Sequence, residues 1–387
     1  MASYVYIDYV FVIQNYIDVM VFDSLLDSCY DRREYPALNS LMARWECTRP
    51  FTGMQLLVAT PVFRNTLLQY RALMAGGAKL WIGSNDTLCD KKIVGMLKDW
   101  GFPVVDAVQA LDLQKSNPFD LILDCAGRFS ACSPRFGFVE LTRSGVQFYE
   151  GCPKPVYVAD SGIVKRIETS LGTGEGYVRG LAEAGYPDIE NKKFVVFGSG
   201  KVGSGIALQL LRAGASLEVV TDVSLGANPF HDSNGIAITD CRNVSAVADL
   251  VRHADFVVTA TGIKDALDVP ELTAALMETK AVLANMGVED EYGAGIPAER
   301  VLAGKNSLNF ILEEPTHLKY IDASLALHVA LGELLVKEYG LQKSKAPFTG
   351  TRNPPEDLER EILSVTMQDG LIGPEIAEML GGLSGEP

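Results

Sequence analysis

The sequence predicts an α/β protein built on two doubly wound parallel sheets, and three observations carry that prediction. Short β-branched runs alternate with longer amphipathic stretches, the pattern of parallel strands joined by helices. At 387 residues the chain exceeds one ordinary core and fits two domains with extensions. One glycine-rich turn, at 198–203, sits between a buried-type strand and a helix, where such a sheet binds ligands.

In the first half, strands are expected at 55–59, 79–82, 103–105, 121–123 and 156–159, with helical periodicity at 65–75 and 92–100. In the second half the strands are 194–197, 217–220, 256–259, 281–284 and 309–312, alternating with helices 202–213, 244–253 and 270–278. Residues 168–192 read as a helix followed by a turn carrying Gly185 and Pro187, the place for a hinge. A long amphipathic helix at 315–339 would return the chain toward the first domain. The tail from Lys343, rich in Pro, Gly and acids, reads as a separate arm.

Composition narrows the function classes. A net charge of -15 argues against a nucleic-acid surface, which needs clustered Lys and Arg. The apolar N-terminus carries Asp8 and Asp18 and no basic leader, so neither a signal peptide nor a membrane span is expected. Seven scattered cysteines without a CxxC pair, and only 4 His, point to free thiols in a reducing cytoplasm and to no metal site.

The run NKKFVVFGSGKVGSGIALQLLRAGASLEVVTD is the most specific signal. Gly198 permits the tight turn, Gly200 lets the backbone approach a pyrophosphate, and Gly203 lets helix and strand pack closely. The helix opening at Lys201 and Val202 offers N–H groups and a positive dipole end to phosphates. Asp222 ends the next strand, where a carboxylate accepts ribose hydroxyls and repels a 2′-phosphate; Arg212 lies inside the helix. The cofactor read from this Rossmann unit is therefore NAD. Thr259, Thr261 and Gly262 end one later strand, and Asn285, Met286 and Gly287 another, both on the ligand side of the sheet.

With that unit placed, the chain from about Pro36 to Leu335 resembles the S-adenosylhomocysteine hydrolase family. The segments PALNSLMARWECTRPFTGMQLLVAT, NTLLQYRALMAGGAKLWIGSNDTL, LILDCAG, VELTRSGV, VADSGIVKRIETSLGTGEG, TATG, ANMG and PTHLKYIDASLALH follow the family's order. The resemblance implies two Rossmann-like domains. One is substrate-binding at 1–185, completed by part of 315–345, and one is NAD-binding at 186–330; a return helix and oligomerisation arm fill 331–387. It implies a homodimer or homotetramer and a nucleoside or nucleoside thioether as substrate. It also implies that NAD oxidises a ribose 3′-hydroxyl, acidifying the 4′ C–H so that the 5′ substituent leaves, and is then restored. Thr142, Arg143, Ser144 and Thr169 fall where the family contacts the cofactor.

The family's proton-transfer positions match less well. Its lysine position holds Val164, with Lys165 one residue later, about 100° round a helix. The acid and Asn that follow become Glu168 and Thr169, and the second Asp of its Asp-Asp-Gly-Gly turn is Cys125. Pro61 and Val288 stand where the family has two His. Catalytic candidates are Lys165, Glu140, Asp160, His317 and Asp124, each with a plainer alternative. Lys165 could be solvated on a helix, Asp160 could cap one, His317 could lie on the surface, and His328 reads as structural. Four readings remain open: net elimination from a nucleoside, true S-adenosylhomocysteine hydrolysis, plain dehydrogenation with exchangeable NAD, and non-catalytic NAD-dependent regulation of a partner.

Overall fold

The computed structural model describes residues 22–84, 89–160, 162–225, 236–341 and 346–381. They fall into two compact units, 22–165 with 322–373, and 166–321 with 374–381.

In the first unit, strands β1 (Gln55–Val58), β2 (Lys79–Gly83), β3 (Val104–Val105), β4 (Leu121–Asp124), β5 (Gly137–Glu140) and β6 (Pro155–Val158) form one sheet with a tail strand, Gly350–Arg352. Its order is β3-β2-β1-β4-β5-β6-tail, every pair parallel. β1, β4, β5 and β6 are buried on both faces apart from the first residue of β1, as strands covered by helices on both sides must be. Helix Pro36–Thr48 begins at a proline suited to a first turn, and the buried carboxylate of Asp322 accepts its Ala37 and Leu38 N–H groups at 2.8 and 3.0 Å.

In the second unit, β7 (Lys193–Phe197), β8 (Ser216–Thr221), β9 (Ala237–Asp240), β10 (Phe256–Thr259) and β11 (Val282–Asn285) run parallel in the order β9-β8-β7-β10-β11. Alternate residues of β7, Phe194 and Val196 on one face, Val195 and Phe197 on the other, enter two separate cores. Phe194 stacks on Phe256 at 4.6 Å. Both sheets reverse direction of growth once, between β1 and β4 and between β7 and β10. These forks are where doubly wound sheets receive ligands.

The α/β class holds, with corrections to individual elements. Residues 309–312 are no strand: Leu308–Ile311 is a 3-10 turn, and only single bridges at Val301 and Ser307 continue the sheet beyond β11. The apolar run NFIL had no alternation to separate strand from helix. The return helix is Leu318–Leu341, and the 168–192 stretch opens as a π-helix, Ile167–Gly172, before the α-helix Thr173–Glu183. The tail does not stand apart as an arm: Gly350–Arg352 pairs with β6, and helix Glu356–Asp369 packs on Pro36–Thr48. The extra N-terminal element expected at 1–21 lies outside the described residues. No described helix is long and apolar enough to cross a membrane.

Candidate functional site

The glycine turn after β7 leaves a backbone cradle in the second unit. Gly198 has φ +104°, and a Cβ there would meet the Ala260 carbonyl oxygen at 2.4 Å, so the β7 and β10 turns touch backbone to backbone. A Cβ on Gly203 would meet the Gly198 carbonyl at 2.0 Å, which fixes the helix Lys201–Arg212 against the strand end. Gly200 differs: a Cβ there meets nothing within 4 Å. It N-caps the helix in an extended conformation with no side-chain cap of its own, leaving clear the space a side chain would take at the helix start. The cradle fits a pyrophosphate. Lys201 and Val202 are half-buried at its rim.

The surroundings hold that cradle rigid. Ser199 Oγ meets Thr221 Oγ1 at 2.8 Å, tying the turn to the end of β8. A Cβ on Gly205 would strike the Ser170 carbonyl at 1.8 Å, so the π-helical segment carrying Thr169 lies backbone-close to the phosphate helix. π-Bulges of this kind cluster at functional sites. Asp222, half-buried at the end of β8, accepts from the N–H and hydroxyl of Ser224 at 2.9 and 2.6 Å, which hold its carboxyl below the usual carboxylate range.

The later strand ends are built mainly by their own side chains. Thr259 donates to Asn285 Oδ1 at 2.8 Å, and Asn285 Nδ2 donates to the Glu289 and Lys305 carbonyls at 2.8 and 2.7 Å. Both residues are fully buried, so they brace the loop. Thr261 N, its hydroxyl and Gly262 N all donate to the buried carboxylate of Glu291, at 2.8, 2.8 and 2.7 Å. Glu291 also fills the space above Gly287, where a Cβ would meet Oε1 at 2.2 Å. Sequence reasoning missed Glu291, which stands in no motif. Met286 is buried beneath this loop, and Val288 beside it is 87% exposed.

At the fork of the first unit, carboxylates take the place of open backbone. Asp124 and Glu140 stand side by side in register at the ends of β4 and β5, both fully buried. Asp124 Oδ1 accepts from Cys125 N at 2.8 Å, and Oδ2 accepts from Phe129 N at 2.9 Å and the Tyr149 hydroxyl at 2.5 Å. Burial and then the neighbouring Glu140 push its carboxyl up to about 7. Glu140 accepts from Ala126 N, Gly127 N, Thr142 N and the Thr142 hydroxyl at 2.9, 2.9, 2.8 and 2.6 Å.

Those bonds hold Ala126 and Gly127 at φ +61° and +64°, a left-handed turn that costs a non-glycine residue about 1 kcal/mol. Glu140, a catalytic candidate in the sequence, is engaged through both oxygens by the loop that it braces.

Asp160 likewise accepts Arg143 N at 2.7 Å, anchoring the 3-10 segment Arg143–Tyr149, while Arg143 and Ser144 are exposed. Lys165 is buried in the first unit, among the groups that bear on Cys125 and His328. The solvated alternative for Lys165 thus gives way to an interior side chain. His328 is structural: its Nδ1 pairs with Gln69 Nε2 and its Nε2 with the Val139 carbonyl, each at 2.9 Å. Burial drives its imidazole down to about 4, so it is neutral. In the second unit His317 Nδ1 lies 3.0 Å from Glu175 Oε1. Burial pushes Glu175 up, but His317 and Arg179 outweigh it and pull the carboxyl below its ordinary value. No described group of three or more His, Cys, Asp or Glu side chains could hold a metal.

The chain is similar in sequence to proteins of one family. Residues 170–306 match the family described as S-adenosyl-L-homocysteine hydrolase, NAD binding domain. The chain is 26% identical over 389 residues to an adenosylhomocysteinase of Thermoplasma volcanium, covering 87% of this chain and 91% of that one. It is 25% identical over 398 residues to an S-inosyl-L-homocysteine hydrolase of Methanopyrus kandleri, covering 90% of each. Among solved structures, a transhydrogenase from Sinorhizobium meliloti superposes with a TM-score of 0.43 at 15% identity, over 76% of this chain and 97% of that one.

Proposed function

We propose that this chain, whose residues 170–306 match the NAD-binding domain of the S-adenosyl-L-homocysteine hydrolase family, uses NAD to catalyse net elimination of the 5′ substituent from a nucleoside or nucleoside thioether. The observation that carries the reading is a backbone cradle suited to a pyrophosphate, with no imidazole at a strand end among the described residues. Val288 presents an apolar side chain where the family has His, and no described histidine stands at the carboxyl end of a strand. Addition of water to a 4′,5′ alkene needs a placed acid and base, whereas elimination needs one proton acceptor and a departing group.

Bound NAD supplies the reversible removal of hydride from C3′ as the 3′-hydroxyl gives up its proton, and the ketone so formed acidifies the neighbouring 4′ C–H. Gly198, Gly200 and Gly203 with the first turn of Lys201–Arg212 hold the pyrophosphate, and Asp222 receives the ribose hydroxyls. Lys165 is our candidate proton acceptor. Asp124 and Glu140 shape the turn Cys125–Gly127 beside it and keep that region free of bulk water. A homodimer or homotetramer acting in the cytoplasm belongs to the same proposal.

The test is absorbance near 340 nm on adding S-adenosylhomocysteine, S-inosylhomocysteine or adenosine, followed by product analysis. The expected result is a rise in reduced cofactor and an unsaturated nucleoside as product. Release of homocysteine with a hydrated nucleoside would instead make the protein a true hydrolase. No rise with any nucleoside, while NAD remains bound, would favour a regulatory NAD-binding protein. In Lys165→Ala, turnover should fall at least about a hundredfold with cofactor still bound; unchanged turnover removes Lys165 from the mechanism.

A further inference from the structure

The ribose-binding acid has a cationic neighbour on the adjacent strand end. Thr221 and Asp240 are paired in register on β8 and β9, and Cys241 N donates to the Thr221 carbonyl at 2.9 Å, which carries the ladder one residue further. That register sets Cys241 beside Asp222, and Arg242, one residue further along, reaches back with its side chain so that Nη2 lies 3.5 Å from Asp222 Oδ1. Asp240 grips the same guanidinium with both oxygens: Nε is 3.0 and 3.2 Å from Oδ1 and Oδ2, and Nη2 is 2.8 Å from Oδ2. The backbone N–H of Arg242 also donates to Asp240 Oδ1 at 3.1 Å. A purely local Asp–Arg pair accounts for the Asp240 contacts. It does not account for a guanidinium turned onto the carboxylate of the neighbouring strand.

We propose that Arg242 is a second determinant of cofactor choice: Asp240 holds it against Asp222, where it orients the carboxylate for the ribose hydroxyls of NAD, and it becomes a 2′-phosphate site once that carboxylate is removed. This rests on the NAD reading of the second unit. With Asp222 present, its charge repels a 2′-phosphate and half-neutralises the arginine. Without it, a planar fork already immobilised by Asp240 faces the position of the 2′ oxygen and can bind phosphate through paired N–H groups.

The experiment titrates the full-length protein with NADH and with NADPH, following cofactor fluorescence, in wild type, Asp222→Ala, Arg242→Ala and the double variant. Both side chains are substantially exposed, and circular dichroism checks that each variant folds. Wild type should prefer NADH by at least about tenfold, and Asp222→Ala should tighten NADPH by about ten- to a hundredfold, the scale of one charge-assisted bond. The double variant should lose that gain, and Arg242→Ala alone should weaken NADH a few-fold while still rejecting NADPH. An equal gain for NADPH with or without Arg242, or no gain in Asp222→Ala, overturns the proposal. A wild type that binds neither nucleotide overturns the NAD reading itself and is recognisable as such.

Discussion

At the fork between β7 and β10 the second unit presents backbone, and at the fork between β1 and β4 the first unit presents carboxylates. Gly198, Gly200 and Gly203 bring main chain to the surface of the second unit, with open space above Gly200. In the first unit Asp124 and Glu140 are buried at the same topological point, and seven donors converge on them. A backbone cradle needs absent side chains and binds whatever phosphate arrives. A carboxylate-braced turn needs particular side chains, and the shape it holds is specific to one site. The difference teaches that one fork depends on main-chain geometry and the other on the identity of particular side chains.

The sharpest way to separate the two plans is Gly200→Val. Its φ of −69° suits any residue, and a Cβ meets nothing, so folding should be untouched. The side chain would occupy the pyrophosphate position, and NADH affinity should fall at least about a hundredfold, the loss of two or more phosphate contacts. Fluorescence titration measures it. Near-normal affinity would mean the cofactor does not lie across this turn.

Glu140→Gln probes the other plan. The amide would turn N–H groups toward backbone N–H donors at a fully buried point, and the left-handed Ala126 would lose its brace. A loss of about 3 kcal/mol is expected. All three tryptophans, Trp45, Trp81 and Trp100, lie in the first unit, so urea unfolding followed by tryptophan fluorescence reports on this unit alone. NADH binding should change little. A variant as stable as wild type would return Glu140 to the substrate-facing groups.

This contrast also decides what could be read from the sequence. The phosphate turn was legible because its requirements are stereochemical: only glycine tolerates φ +104° or an approach of 2.0 Å, so spacing alone reveals it. Asp222 was legible from its place after β8. Arg242 was not, because it reaches Asp222 only through the pairing of β8 with β9, and β9 is a short, half-exposed strand with weak alternation. Glu291 and the saturation of Glu140 were hidden for a related reason. An acid at a strand end looks the same in sequence whether its oxygens face a ligand or the chain's own N–H groups. The π-helical start at Ile167 carries no periodicity of its own to distinguish it from the α-helix that follows.

A smaller effect tests whether burial of acids is general to the first unit and not peculiar to its fork. Asp322 is fully buried, far in sequence from the fork, and caps helix Pro36–Thr48; burial pushes its carboxyl up to about 7 against the two N–H bonds that lower it. Unfolded, the same group titrates near about 4. The folded state therefore favours the neutral form, and this contribution is complete below the unfolded value and is lost as pH rises through about 7. Asp124 acts in the same direction at the fork. Wild type should be more stable at pH 5.5 than at pH 8. Asp322→Asn, which has no charge to bury, should remove about 2 kcal/mol of that difference while leaving the share of Asp124 in place. Trp45 sits on the capped helix, so its fluorescence during urea unfolding at the two pH values follows the segment directly. An identical pH slope in the variant would show that the cap stays ionised in the folded protein, with the helix dipole outweighing burial.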